Sequence, residues 1–299
     1  MIRNSNIVSK IYHAIKNNLY KLSEERALKF AYLITTGKRL NLKNPTTFNE
    51  KIQWLKLNWK SNLVVKCTDK YAVREYIESK GLSEILNELY FVYDDADEII
   101  WEELPSAFAL KTNNGCKTMF ITKNKYELDK IEVKNKMNEW LESDYGLSSI
   151  EPHYSQIPPK IICEKYLENT CGEFPIDYKI FCFNGEPKFI SVIFERTKTH
   201  KFKRFFMDLN WNILNFEKDK TILTEIPKKP INLERMLEYS YILAEDFPFV
   251  RVDFYEMEGK VIFGELTFTP TSGMATYYTP EAQLLLGNWL TLPKKIKEY

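Results

Sequence analysis

Two acids and an arginine at alternating positions are the strongest chemical signal in the chain. Val250-Arg251-Val252-Asp253-Phe254-Tyr255 is followed by Val261-Ile262-Phe263-Gly264-Glu265-Leu266-Thr267. Read as strands, Val250, Val252 and Phe254 share one face, and Arg251, Asp253 and Tyr255 share the other. If the hairpin is symmetric about Gly259, Asp253 faces Glu265 and Arg251 faces Thr267. Carboxylates directly across a sheet repel each other, and a one-residue slip would turn one acid to the opposite face. A divalent cation between them gives the pairing a purpose, because hard cations such as Mg²⁺ take carboxylate oxygens together with substrate phosphates. The plain alternative is a solvated strand face carrying two unrelated acids. Arg251 lies two residues, about 7 Å, from Asp253 along the strand. That spacing reads as too long for a contact ion pair and as suited to a guanidinium that reaches past a metal.

Three lysines form a second set. Lys70 follows a helix N-cap expected at Asp69, Lys111 ends an apolar strand just before Asn113-Asn114-Gly115, and Lys179 sits on the strand that starts near Asp177. Lysines pointing from strands into a cleft suit phosphate oxygens as point charges, and the N–H groups of a glycine turn can cradle a phosphate. Taken singly, each lysine also fits a solvated side chain. The apolar run Ile161-Ile162-Cys163 continues into Glu164-Lys165-Tyr166-Leu167. It can offer backbone donors and acceptors to a purine edge, or it is a plain strand end. A basic run, Arg196, Lys198, His200, Lys201 and Arg204, suits an anionic glycan or carboxylate, or else forms a solvated loop.

These residues need a frame. Ile7, Ile11, Ile15, Leu19 and Leu22 recur at helical spacing, with Lys10, Lys16 and Lys21 elsewhere on the wheel. Such a basic amphipathic helix can lie on a membrane surface or pack on its own domain. Residues 1–65 read as helical, with Thr46 or Thr47 capping a helix that has Glu50 in its first turn. Residues 69–80 read as another helix, stopped by Gly81. Strands are expected at 90–92, 107–111 and 161–167. Hairpins are expected at 177–194, turning at Asn184-Gly185, and at 249–268, turning near Glu258-Gly259. Residues 233–245 have helical spacing. Helix and strand mix without a regular βαβ alternation, which points to an α+β fold with antiparallel sheets.

Composition narrows the function classes. The chain has 299 residues, 44% hydrophobic and 28% charged, which is ordinary for globular protein and long enough for about two domains. With 42 basic and 41 acidic residues the formal charge is +1, so no global basic field exists to hold a nucleic acid. Five cysteines without a CxxC pair argue against a disulfide framework and for a reducing compartment. Three histidines and no HExxH argue against zinc chemistry. No apolar run approaches the ~20 residues of a membrane span, and the N-terminus lacks the apolar core of a signal peptide. The expected location is the cytoplasm, with its membrane face open to the N-terminal helix.

Taken in order, Asp69-Lys70, Lys111, Glu164-Lys165-Tyr166-Leu167, Arg251-Val252-Asp253-Phe254 and Glu265-Leu266-Thr267 resemble the motifs of the ATP-grasp superfamily, as found in D-alanine–D-alanine ligases. A narrower resemblance is to the TupA-like ATP-grasp proteins of surface polysaccharide biosynthesis, whose name comes from teichuronopeptide synthesis. It is carried by Asn44-Pro45-Thr46-Thr47-Phe48-Asn49-Glu50-Lys51, Asp69-Lys70-Tyr71-Ala72-Val73-Arg74, Asp177-Tyr178-Lys179-Ile180-Phe181-Cys182-Phe183-Asn184-Gly185 and Gly264-Glu265-Leu266-Thr267-Phe268. Two positions depart from the patterns. The loop Lys-x-Asn-His-Gly-Ser-Gly reads Lys111-Thr112-Asn113-Asn114-Gly115-Cys116-Lys117 here, so its second glycine is replaced by a lysine. The asparagine that ATP-grasp ligases place two residues after the metal glutamate is Thr267, as in TupA-like proteins.

The resemblance implies two α+β subdomains that grip ATP, residues 69–163 and 164–299, after a helical region 1–68 that is short for a complete substrate domain. It implies ATP-dependent ligation of a carboxylate to an amine through an acylphosphate. The carboxylate would belong to a uronic acid or amino acid of a capsular glycan or sugar precursor. Asp253 and Glu265, with Thr267, would hold one or two Mg²⁺. Lys70 and Lys111 would contact the α- and β-phosphates. The hinge opened by Glu164 would offer the backbone of Lys165 and Leu167 to adenine, with Glu173, or else Glu168, on the ribose. Lys179 would meet the transferring phosphate and Arg251 the oxyanion. Arg196, Lys198, His200 and Arg204 would meet the anionic substrate. An ATP-grasp kinase with a hydroxyl acceptor, and a non-catalytic nucleotide-binding partner of glycan assembly, are the alternatives.

Overall fold

The computed structural model describes residues 6–168, 174–197, 202–218 and 226–299. The chain opens with α1 (Asn6–Leu22), α2 (Glu24–Thr36) and α3 (Phe48–Asn58). Thr47 caps α3 in a reciprocal box, its hydroxyl accepting from the Glu50 N–H while the Glu50 carboxylate accepts from the Thr47 N–H. A two-residue strand, β1 (Trp59–Lys60), leads to α4 (Asn62–Thr68) and α5 (Val73–Ser79). The helix expected over 69–80 is thus shorter. Its N-cap is Ala72, which makes no side-chain cap, and not Asp69 as expected. Asp69 ends α4 and closes the turn ahead of α5, accepting from the Tyr71 and Ala72 N–H groups at 2.7 and 3.2 Å.

Next come β2 (Leu89–Tyr93), β3 (Phe108–Thr112), β4 (Met119–Thr122), α6 (Lys130–Glu142), α7 (Tyr145–Ser149) and β5 (Ile161–Lys165). These strands make an antiparallel sheet in the order β2-β5-β3-β4. Its Phe108, Leu110, Ile161 and Cys163 face pack with Val133 and Met137 of α6. Lys111, Ile162 and Glu164 point the other way. The subdomain boundary expected at residue 163 falls inside β5.

The remainder holds β6 (Asp177–Phe183), β7 (Glu186–Phe194), β8 (Lys203–Met207), α8 (Leu233–Ala244), β9 (Phe249–Met257), β10 (Lys260–Thr267), α9 (Pro280–Trp289) and β11 (Ile296–Lys297). A second antiparallel sheet runs β10-β9-β6-β7-β8. Both hairpins turn where expected. Asn184-Gly185 and Glu258-Gly259 each have two positive φ values (51° and 83°; 51° and 73°), the backbone that a two-residue turn needs to match strand twist. One face of this sheet, with Ile180, Cys182, Val250 and Val252, buries against α4, α5 and α8. Part of the other face, with Phe181, Phe183, Phe189 and Phe249, buries against Phe48 and Ile52 of α3 and Leu286 of α9. β11 pairs in parallel with β1, tying the end of the described chain to its helical start. The fold is α+β with antiparallel main sheets, as expected. β1, β4, β8, β11, α6, α7 and α9 were not anticipated, and β8 begins inside the end of the basic run.

Candidate active site

The site grows out of a change of chemistry along one sheet face. On β6, Asp177 and Lys179 share a face with Phe181 and Phe183. On β9, Arg251 and Asp253 share that face with Phe249. Where the residues are aromatic, α3 and α9 cover the sheet. Where they turn charged, the face carries three residues in line across neighbouring strands, Lys179, Asp253 and Glu265. The next row is Phe181, Arg251 and Thr267.

The register that puts Glu265 opposite Asp253 is not the symmetric one. From the Glu258-Gly259 turn outward, Phe263 pairs with Phe254, and a regular ladder would then set Gly264 opposite Asp253. Instead Gly264 is left over as a bulge and Glu265 takes that place. Glycine is favoured here, because a Cβ would stand 3.0 Å from the Asp253 carbonyl oxygen, a tight contact.

The charged groups interlock. Arg251 Nε and Nη2 each donate to an oxygen of Asp253 at 2.6 Å, and Nη2 reaches Glu265 Oε1 at 3.0 Å and Thr267 Oγ1 at 2.9 Å. This corrects the expectation that residues two apart on a strand are too distant for a contact pair. An extended arginine laid along the strand spans the gap and forks onto both carboxylate oxygens. Lys179 Nζ donates to Asp253 Oδ2 and lies 3.7 Å from Asp177, which also accepts from Arg196. Thr267 Oγ1 donates to Glu265 Oε1 at 2.8 Å, so the threonine orients the glutamate. Burial opposes the charge on Glu265, but Arg251, Lys179 and Lys70 outweigh it and hold the carboxyl down at about 2. Burial opposes the charge on Arg251 as well, yet Asp253 and Glu265 hold the guanidinium above its ordinary range.

Asp253 and Glu265 fit a hard cation. Both are carboxylates on one face of adjacent strands, Glu265 is ionised, and its side chain is 45% exposed. Asp253 is buried, and both its oxygens already accept from Arg251. Among the described residues no group of three or more His, Cys, Asp or Glu side chains converges as a metal site. A cation on this pair would complete its shell from phosphate and water.

Lys70, Lys111, Glu164 and Leu167 come together in one cleft between the two sheets, with Val73, Arg74, Asn87 and Phe263. Lys111 Nζ is 2.7 Å from Glu164, whose other oxygen is 3.7 Å from Arg74. Glu164 therefore holds the lysine in place, which sequence reasoning did not foresee. Burial pushes the Lys70 ammonium below its ordinary value, with Glu265 pulling the other way, and Nζ donates to the Gly115 carbonyl. The Lys165 N–H is bonded to the Glu88 carbonyl at 2.9 Å and its own carbonyl accepts from Asn87 at 2.8 Å, so the hinge backbone there is engaged by the chain before β2. The Lys165 side chain is exposed and outside the cleft. Glu168 is exposed, 3.7 Å from Lys123. Glu173, Lys198, His200 and Lys201 lie outside the described residues. Arg204, on β8, pairs with Glu217 and stacks on Tyr277, its guanidinium carbon 3.7 Å from the ring centre.

The glycine loop is stapled by Asn113. Its amide donates to Asp69 at 2.9 Å and to the Pro158 carbonyl at 3.0 Å, and its oxygen accepts from the Lys160 N–H at 2.7 Å. Lys117, where the resembling pattern has its second glycine, has φ +65°. This left-handed backbone is one that glycine adopts without strain and lysine does not.

A family model described as TupA-like ATPgrasp matches residues 50–291. The chain belongs to the TupA-like ATP-grasp family. Membership brings the ATP-grasp ligase fold and ATP as its nucleotide. Among solved structures, a D-alanine–D-alanine ligase from Bacillus anthracis is similar at 16% identity and TM-score 0.46, covering 77% of this chain and 69% of that one. One from Helicobacter pylori has 15% identity and TM-score 0.45, covering 82% and 69%. An L-amino acid ligase from Bacillus licheniformis has 13% identity and TM-score 0.47, covering 77% and 51%. No curated protein matches the sequence. Sequence reasoning missed Arg74 and Asn87 as cleft residues. Arg74 had a signal, since 70, 73 and 74 fall on one side of a helical turn.

Proposed function

We propose that this TupA-like ATP-grasp protein joins a carboxylate to an amine at the expense of ATP, and that the carboxylate belongs to a uronic acid of a capsular or related surface glycan. The observation that carries the ligase reading is the row Lys179–Asp253–Glu265 beside a cleft lined by Lys70 and Lys111. It sets two carboxylates, Glu265 held well below its ordinary value and Asp253 pushed up by burial, next to cations able to meet a polyphosphate. The glycan rests on the TupA-like resemblance.

In this reading a carboxylate oxygen of the substrate attacks the γ-phosphorus and ADP leaves. The amine then attacks the carboxyl carbon and phosphate leaves, with the amine's proton passing to solvent or a base. Lys70 and Lys111 bind the phosphates, and the hinge meets adenine through the backbone at Leu167, with Glu173 near the ribose. Lys165 could join only by giving up its bonds to Glu88 and Asn87. Mg²⁺ held by Asp253 and Glu265 would neutralise phosphate charge. Thr267 and Glu164 orient Glu265 and Lys111. Lys179 meets the phosphate in flight. Arg251 turns its fork from Asp253 to the oxyanion at the carboxyl carbon, a charge that preorganised donors stabilise strongly. Arg196 and Arg204, with Lys198 and His200, meet the anionic substrate. Among the described residues the buried Nε of Arg204 has no partner. The presence of both Asp253 and Glu265 speaks against a non-catalytic nucleotide-binding partner.

Phosphorus NMR of ATP with uronic-acid glycans and a panel of amines tests this. ADP and phosphate appearing only when both substrates are present is the expected result. ADP with a phosphorylated glycan and no need for amine would replace the ligase by a kinase.

A further inference from the structure

We infer that α1 is a docking surface for an anionic lipid bilayer. Val8, Ile11, Ile15 and Leu22 of this helix are exposed, at 50%, 53%, 43% and 72%. At 3.6 residues per turn these four side chains fall within about 60° of arc, a single stripe along the helix. The stripe is not a packing face left open by a loose helix, because α1 is already docked through its neighbouring side. Tyr12 stacks on Phe30 of α2 at 5.8 Å, and the buried Lys16 donates to the Ser148 carbonyl at the end of α7. Leu19 packs with the Ala27, Leu28 and Ala31 cluster of α2.

Charge selects the occupant. α1 has no acidic residue, and Lys10 and Lys21 are exposed further round its surface. Between residues 6 and 43 the sequence has eight Lys and Arg against two Glu, although the whole chain carries only +1. A stripe of aliphatic side chains beside lysines is what an anionic interface takes, apolar groups entering the headgroup boundary and ammonium groups staying among the phosphates. A nucleic acid would have no use for the stripe, and a second copy of this chain would bring like charge against like. Crossing the bilayer is not the mode, since among the described residues no helix is long and apolar enough.

Full-length protein is sedimented with vesicles of phosphatidylcholine alone and with vesicles that include phosphatidylglycerol. Binding to the second kind only, weakened by salt, is expected. Ile11→Asp with Ile15→Asp should lower the partition by about a hundredfold, from two aliphatic side chains that no longer enter the interface. Lys10→Gln with Lys21→Gln should lower it roughly thirtyfold, near the effect of two surface charges. All four positions are exposed, so the melting temperature of each variant should match the wild type. The inference is overturned if wild-type protein ignores phosphatidylglycerol, or if the Ile11→Asp/Ile15→Asp variant binds as well as wild type. It is equally overturned if sedimentation shows a dimer that these substitutions dissolve without any vesicle binding.

Discussion

Gly264 is where one methyl group should separate stability from activity. A Cβ at this bulge residue would stand 3.0 Å from the Asp253 carbonyl oxygen and 3.3 Å from Tyr255 Cε2. The tyrosine ring can turn aside, but the carbonyl belongs to β9, held between β6 and β10. Gly264→Ala must therefore push the strands apart by a few tenths of an ångström at the pair that sets Glu265 opposite Asp253. Overpacking of this kind costs about 1–3 kcal/mol, which lowers Tm by roughly 2–10 °C in a chain of this size. Activity should suffer beyond that, because a 1 Å misplacement in a catalytic constellation can cost about 10²-fold and a few tenths should cost roughly several-fold. Gly259→Ala on the same hairpin is the control. Its φ is +73° and nothing lies within 4 Å of the added Cβ. It pays only the left-handed backbone penalty, about 1–2 kcal/mol, at the tip, with the carboxylates undisturbed. Differential scanning fluorimetry and Mg²⁺-dependent ADP release would be read on both variants. Equal loss of turnover in the two, or wild-type turnover in Gly264→Ala, would refute the link between the bulge and the acid pair.

The other expectations are shorter. Glu265→Ala or Asp253→Ala should abolish Mg²⁺-dependent ATP turnover with the fold intact by circular dichroism, and unchanged turnover in either would remove the metal-site reading. Arg251→Lys keeps a charge but loses the fork, so single-turnover rate should fall about 10²–10³-fold at near-normal ATP affinity; a lowered Tm with normal rate would make Arg251 structural. Lys117→Gly should raise stability by about 0.5–1 kcal/mol by relieving the left-handed lysine, which urea unfolding can read, and no gain would contradict that account. His153 is buried, and burial, with Lys56 adding to it, holds its pKa down at about 3. The unfolded histidine protonates near its ordinary value of 6.5 while the folded one does not, so the unfolded state binds more protons between these limits. Stability should fall by roughly 1.4 kcal/mol per pH unit on acidification through that window. His153→Phe should flatten this part of the profile, and parallel profiles for the two proteins would rule the histidine out.

What could be read from the sequence was local. Asn184-Gly185 and Glu258-Gly259 specify their turns by the positive φ they tolerate, and alternation then assigns each strand residue to a face. The Thr47–Glu50 box announces α3 by chemistry within four residues. Elements whose apolar pattern is weak went unseen. α6 buries only Val133 and Met137, and β4 is a four-residue edge strand with one buried side chain, so neither carries a clear period. The pairing of Asp253 with Glu265 was reached from an axis placed at Gly259. The true turn is centred half a residue earlier, and the Gly264 bulge adds the missing residue back. A glycine inside the strand, directly after Val261-Ile262-Phe263, was the visible sign of that bulge.

The contacts around Arg251 show why residue roles were harder to read than faces. Face and register fix where a Cα sits, but an arginine reaches about as far as the spacing between alternate strand residues, so its partner depends on which charges lie in that radius. Asp253, Glu265 and Thr267 all do, and the guanidinium binds the three together. A similar reach lets Glu164 hold Lys111 diagonally across β5 and β3. In both places a basic side chain assigned to the nucleotide or its reaction is held by an acid of the protein. A polyphosphate entering the cleft must compete with Glu164 for Lys111, and a cation at Glu265 must compete with Arg251. If phosphate takes Lys111, Glu164 keeps Arg74, and if Mg²⁺ takes the acids, the guanidinium is released from Asp253 and Glu265. Binding and catalytic readiness are coupled through these exchanges, so Arg251→Lys should disturb the chemical step more than the binding of ATP.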